Sequence, residues 1–413
     1  MAATVAQVLR SFGAQYLATH ALSTPQAKAW RGIAACRTAA LGGQQLSCEA
    51  CKYSHWQYHS CRNRHCPQCG ARAKDAWLQG RLAEVLPVPY AHLVFTLPHC
   101  LNGLYTAHSR WVIDTLFACT AQTLLEFAAN PKWMAGTNGT PAFSLVLHTW
   151  TQDLRLHIHV HAVMACGVLE KDGDEGLRWH LPTRKPDFLF PVQALSKVFR
   201  GKFLAALTRA HHSGDSARDP QGEAQAWCER MRHLYQHDWV VYAKTPLGGP
   251  AQVLEYLSRY THRTAIGNER IRSITTEEVT FTVRAGNREG TKGGKKRGKG
   301  GKRLVRIAGV EFVRRFLLHV LPGGIKRIRH YGVLAPSCKA VKLSAARAAL
   351  QMPMANPQAM ESAQAFMARV ARMELGMCPS CKLGRLQVTA LLKGQACLPT
   401  PVHAQPHQSR GPP

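Results

Sequence analysis

Acidic residues are scarce in this chain: 24 Asp plus Glu stand against 53 Lys plus Arg, a formal net charge of +29. That excess is larger than solubility requires and marks a surface built for a polyanion. Nucleic acid is the first partner to expect, because phosphate neutralisation uses such charge. An anionic membrane would call for a basic amphipathic helix or a lipid anchor, and the sequence shows neither. Long apolar runs are missing too. No stretch approaches the roughly 18 consecutive apolar residues of a membrane span. The opening MAATVAQVLRSFGAQYLATH lacks a basic start, a long apolar run and a cleavage site, which excludes a signal peptide. Internal repeats are absent. The expectation is a cytoplasmic, nucleoid-associated protein with no membrane partner, whose 14 cysteines stay reduced.

At 413 residues, 46% of them hydrophobic, the chain exceeds one average domain. Three regions are expected. They are residues 1–86, 87–340 and 341–413, the last a looser region ending in a disordered tail, LPTPVHAQPHQSRGPP. Val5, Val8, Leu9, Phe12, Tyr16 and Leu17 share one helical face. Further helical patterns cover 72–86, 103–129, 192–213, 250–262 and 309–320. Strands are expected at 92–97, 239–244, 270–274 and 279–284. FSLVLHTW at 143–150 and residues 155–164 read as a β-hairpin. Between Arg288 and Arg303 lie eight Lys or Arg and six Gly, a flexible basic arm for phosphate contact that includes Lys295, Lys296 and Arg297.

Cys48-x2-Cys51 and Cys66-x2-Cys69 form two knuckles, a spacing close to that of a zinc ribbon, and four thiolates suit one structural Zn²⁺. Cys61, His55, His59 and His65 lie close enough to replace or supplement a ligand. Arg62 and Arg64, interleaved with Tyr53, Trp56 and Tyr58, offer cations and flat rings to DNA. Near the C-terminus Cys378-Pro-Ser-Cys381 is a lone knuckle, which Cys397, His403 and His407 could complete.

His157, His159 and His161 alternate with Ile158 and Val160, so in a strand three imidazoles share one face. Residues i and i+2 can converge on a divalent metal, here as 157/159 or as 159/161. Tyr256 and Tyr260 are four residues apart and stack on one helical face, with Arg259 and Arg263 beside them as phosphate contacts.

These motifs resemble, in order, the two-tyrosine HUH transposases of rolling-circle bacterial insertion sequences, whose name denotes a His-hydrophobe-His metal motif. The likeness runs through the segment Cys48 to Cys69 with its Cys61-Arg-Asn-Arg-His-Cys-Pro-x-Cys69 run, Phe95-Thr-Leu-Pro98 and Leu156-His-Ile-His-Val-His161. It continues through Tyr256-Leu-Ser-Arg-Tyr-Thr-His-Arg263 and His319-Val-Leu-Pro-Gly-Gly-Ile-Lys-Arg-Ile-Arg-His-Tyr-Gly332. It implies an α+β fold, with a helical, zinc-ribbon-like N-terminal module and an HUH core made of an antiparallel sheet flanked by helices. It implies that His159 and His161 hold a catalytic Mg²⁺ or Mn²⁺, with His157, Asp153 or Glu255 as third ligand. Tyr256 and Tyr260 are then the nucleophiles that nick single-stranded or locally melted DNA and form a 5′-phosphotyrosine. The same chemistry would serve a replication initiator or relaxase. A non-catalytic zinc-dependent DNA-binding protein would explain the charge and cysteines but not the histidines and tyrosines, and a metallohydrolase would not need Tyr256.

Overall fold

The computed structural model describes residues 3–82, 84–134, 138–171, 176–183, 189–212, 224–247, 264–284, 301–353, 361, 365, 369 and 376–394. The chain opens with helices α1 (Val5–Leu17) and α2 (Thr24–Ala35), strands β1 (Gly43–Cys48) and β2 (Ser54–Tyr58), and helix α3 (Ala71–Leu82). Strand β3 (Tyr90–Thr96), the short α4 (Asn102–Ala107) and the long α5 (Ser109–Ala128) lead to β4 (Thr140–Trp150), β5 (Leu156–Lys171) and β6 (Leu177–His180). Then come α6 (Val192–His212), α7 (Ala224–Gln236), β7 (Val241–Leu247), β8 (Ile271–Ile274), β9 (Glu278–Arg284) and β10 (Lys302–Ala308). Helix α8 (Gly309–Leu318), β11 (Ile328–Gly332), α9 (Lys339–Ala349) and β12 (Leu386–Leu392) follow. Helices and antiparallel sheets are mixed, the α+β class expected.

The expected hairpin is the centre of the molecule. β4 and β5 sit inside an antiparallel sheet of order β11-β4-β5-β3-β7, with β6 paired to the far end of β5. Ile158, Val160, Ala162, Met164, Cys166 and Val168 alternate onto one face of β5 and enter the main core. Helices α5 and α6 cover that face with Val112, Ile113, Leu116, Phe117 and Leu124, and with Leu195, Phe199 and Phe203, each set at helical spacing. Phe199 meets Phe95 and Trp239 edge-on, with ring centroids 5.2 and 5.5 Å away. The other face is divided. Val163, Ala165 and Leu169 are covered by Val333 and by Ala346 of α9. The remaining part carries the histidines.

A second core joins α1 and α2 to α8 and to the small sheet β10-β9-β8. Thr4 and Gln7 form a capping box at the start of α1, and the Val5 amide donates to Asn268 Oδ1 at 3.0 Å. Gly309 lets α8 approach so closely that a Cβ there would lie 2.2 Å from the Phe12 ring. A third sheet has the order β12-β1-β2.

The expected boundaries at 86 and 340 are therefore crossed. The apolar stripe of α1 is buried against residues 265–317 as well as against α2 within the first 86. Beyond 340, α9 packs on the central sheet and β12 pairs with β1. The basic stretch 326–331 contributes an edge strand, β11, paired to β4. Among the described residues no helix is long and apolar enough to cross a membrane.

Candidate functional site

The histidine site follows from strand register. His159 and His161 lie two residues apart on β5, and His148 of β4 is directly opposite His159. Cross-strand partners share a face, so three imidazoles meet, all buried, with their ligand atoms within 4.8 Å of one another. His159 Nε2 and His161 Nε2 are 3.1 Å apart. The Nδ1–H of His159 donates to the His157 carbonyl at 2.9 Å, which leaves the Nε2 lone pair free to ligate. His92 of β3, 3% exposed, sets its Nε2 2.9 Å from His161 Nδ1 and orients that ring in turn. Burial, aided by the charge of neighbouring His157, pulls the His159 imidazole down to about 4. It is thus neutral near pH 7, the state a metal requires. Donor type, protonation and convergence all fit a divalent cation.

Trp150 continues the site, stacking on His148 with ring centroids 4.6 Å apart. On the Trp150 ring sits the Arg327 guanidinium, 4.9 Å from its centroid. Burial, and next the charge of Arg64, pull Arg327 down to about 9, so it stays a cation at neutral pH.

Of the expected third ligands, the two among the described residues, His157 and Asp153, do not join the pair. His157 turns to His99, with its Nδ1 2.9 Å from His99 Nε2. Asp153 sits in the β4–β5 turn, where Arg155 Nε donates to it at 2.8 Å. Glu255 lies outside the described residues, as do Tyr256, Arg259, Tyr260 and Arg263. So do Lys295, Lys296 and Arg297 of the basic arm, although β9 and β10 pair at its base with Lys302 opposite Arg284.

The two knuckles do not meet in one site. Cys66 and Cys69 gather with Cys61 and Cys36, while Cys48 and Cys51 gather with Cys378 and Cys381. The reason is topological: β1 runs between Cys36 and Cys48, so the first knuckle is carried to the far end of that strand. Cys36 went unread because it stands alone in sequence, where no spacing marks a ligand. In the first cluster Cys61 and Cys69 sulfurs are 3.7 Å apart. The Cys61 amide donates to Cys36 Sγ and the Asn63 amide to Cys61 Sγ, both at 3.5 Å. Four thiols with amide donors aimed at sulfur fit a thiolate-bound Zn²⁺. Arg62 is exposed, whereas the Arg64 guanidinium donates to the carbonyls of Ile325 at 2.7 Å and Pro322 at 3.2 Å. Arg64 thus ties the zinc module to the loop before β11.

The chain thus combines cysteine clusters of the structural-zinc type with a histidine-bearing antiparallel sheet. Comparison with known proteins names the family. A family model described as "Putative transposase" matches residues 142–342, and one described as "Transposase zinc-binding domain" matches residues 8–97. The chain is 36% identical over 401 residues to "Putative transposase y4qJ" of Sinorhizobium fredii (strain NBRC 101917 / NGR234), covering 94% of this chain and 96% of that one. It is 28% identical over 250 residues to the transposase for insertion sequence element IS801 of Pseudomonas savastanoi pv. phaseolicola, which covers 58% of this chain and 56% of that one. No solved structure matches. The chain belongs to this family of insertion-sequence transposases, and it is accordingly a DNA-binding, DNA-processing protein with a zinc-binding module.

Proposed function

We propose that this transposase nicks single-stranded or locally melted DNA at the ends of its element through a tyrosine, and then transfers the strand by a rolling-circle route. The observation that carries the reading is the convergence of His148, His159 and His161 on one sheet face. We assign His148, in place of His157, as third ligand of the catalytic cation. When bound, that Mg²⁺ or Mn²⁺ would supply positive charge to the phosphate oxygens. Three imidazoles favour Mn²⁺ over the oxygen-seeking Mg²⁺.

Tyr256 attacks the phosphorus through its hydroxyl oxygen, giving up its proton. The phosphorus–3′-oxygen bond breaks, the leaving oxygen takes a proton, and a 5′-phosphotyrosine remains. Because the bond energy is kept in that link, rejoining by a 3′-hydroxyl needs no ATP. Tyr260 cuts the second strand, and Arg259, Arg263 and Arg327 offset phosphate charge. Thr264 and Ala265, which resume the described chain just after the tyrosines, line a cleft with Trp150.

The test uses single-stranded element ends with each cation. A covalent protein–DNA adduct is expected on denaturing gels, at lower Mn²⁺ than Mg²⁺. Replacing both Tyr256 and Tyr260 by Phe should abolish the adduct and spare DNA binding. His148→Ala should reduce it by more than the roughly 10–100-fold typical of disturbing a hydrogen bond that supports a metal ligand. Cleavage by the double Phe protein would make water the nucleophile and overturn the reading.

A further inference from the structure

We infer that Cys48, Cys51, Cys378 and Cys381 hold a second structural zinc, which clasps the segment 376–394 onto the N-terminal module. Their sulfurs all lie within 4.8 Å of one another. Cys48 Sγ is 3.7 Å from Cys381 Sγ, and Cys51 Sγ is 3.6 Å from Cys378 Sγ. A disulfide would need about 2.05 Å. A tetrahedron with Zn–S bonds of about 2.3 Å has edges of roughly 3.8 Å, close to the separations seen here.

The two knuckles have matching backbones. In each, the residue after the second cysteine adopts a left-handed conformation, Lys52 and Lys382 both at φ +57°. In each, that lysine amide donates to the carbonyl of the first cysteine, at 3.2 Å for Lys52 to Cys48 and 3.0 Å for Lys382 to Cys378. The Ala50 amide donates to Cys48 Sγ and the Gly384 amide to Cys381 Sγ, both at 3.4 Å, and such donors favour thiolate. Gly384 is required for the approach, since a Cβ there would lie 2.5 Å from Cys48 Sγ.

An independent observation concerns β12. It pairs with β1 along its length yet buries almost nothing: none of its side chains is fully buried, and Val388 and Leu391 are 52% and 78% exposed. A short strand with so little apolar burial is marginal on hydrogen bonds alone. A metal at the four thiolates supplies the missing attachment. The lone C-terminal knuckle is therefore completed by Cys48 and Cys51, not by Cys397, His403 or His407.

The test is zinc content of the full-length protein by mass spectrometry. Cys378→Ser/Cys381→Ser is expected to carry one equivalent of zinc fewer than wild type, and Cys61→Ser/Cys66→Ser likewise. An unchanged count in the first variant overturns the inference. Should that variant fail to fold, iodoacetamide footprinting of the wild-type chain decides. Cys51 and Cys381, both partly solvent-accessible, should resist alkylation until a chelator is added, and should become reactive together. Ready alkylation of either without chelator, or a disulfide among the four, also overturns it.

Discussion

His330, on β11, couples the sheet edge to pH. Its Nδ1 shares a 2.7 Å hydrogen bond with the Ser144 hydroxyl of β4. Burial pulls the imidazole down to about 4, with Arg81 and Lys339 adding like-charge repulsion. In the unfolded chain it should titrate near 6.5. Its contribution to stability is therefore intact above about pH 6.5 and is lost as pH falls from there through the folded value near 4. At about 1.4 kcal/mol per unit, the loss reaches at most roughly 3 kcal/mol, and partial solvent screening trims it. His330→Gln should flatten the decline in urea-unfolding free energy between pH 7 and 4.5. An equally steep decline in both proteins would show that acid acts elsewhere. The clustered histidines were legible at this same scale only in part. Alternation exposes the 157/159/161 face, but the third partner depends on register: His148 is recognisable only by pairing FSLVLHTW back from the turn at 151–155.

Among elements, the end of β11 depends on one residue without a side chain. Gly332 adopts φ +63°, and a Cβ there would meet the Pro141 carbonyl oxygen at 1.7 Å. That same carbonyl accepts the Val333 amide at 2.8 Å, so it cannot move aside cheaply. Gly332→Ala should cost at least the roughly 1–3 kcal/mol typical of a non-glycine residue in this conformation, read as a lower thermal midpoint. An unchanged midpoint would mean that the β4–β11 edge is dispensable. Helices with clean apolar stripes, such as α1 and α5, were readable because period and burial agree. β11 was not, since Lys326, Arg327 and Arg329 mask an edge strand whose lower burial leaves no strict alternation. β12 was missed for the related reason that it buries so little.

For the whole molecule, charge is the property most plainly written in composition. Removing 290–300, which lie in sequence between β9 and β10, is expected to weaken DNA binding with little change in sequence preference, because flexible Lys and Arg contact phosphate rather than bases. For every phosphate that the shortened protein no longer neutralises, the log–log salt dependence should become shallower by about 0.7 on single strands. Anisotropy titrations across a KCl series measure this, and an unaltered slope would show that the arm does not touch DNA. What composition hides is the order in which parts can be finished. β1 emerges early from the ribosome, but its partner β12 follows only after Cys381, which is 333 residues beyond Cys48. At about 5–20 residues per second, that wait is on the order of twenty seconds to a minute. Throughout it, one edge of the first sheet has unpaired amides and carbonyls, and an open edge is a template for pairing with other chains. The first sheet to be started is thus the last to be closed, and every nascent chain passes through an interval in which it is open to misassembly.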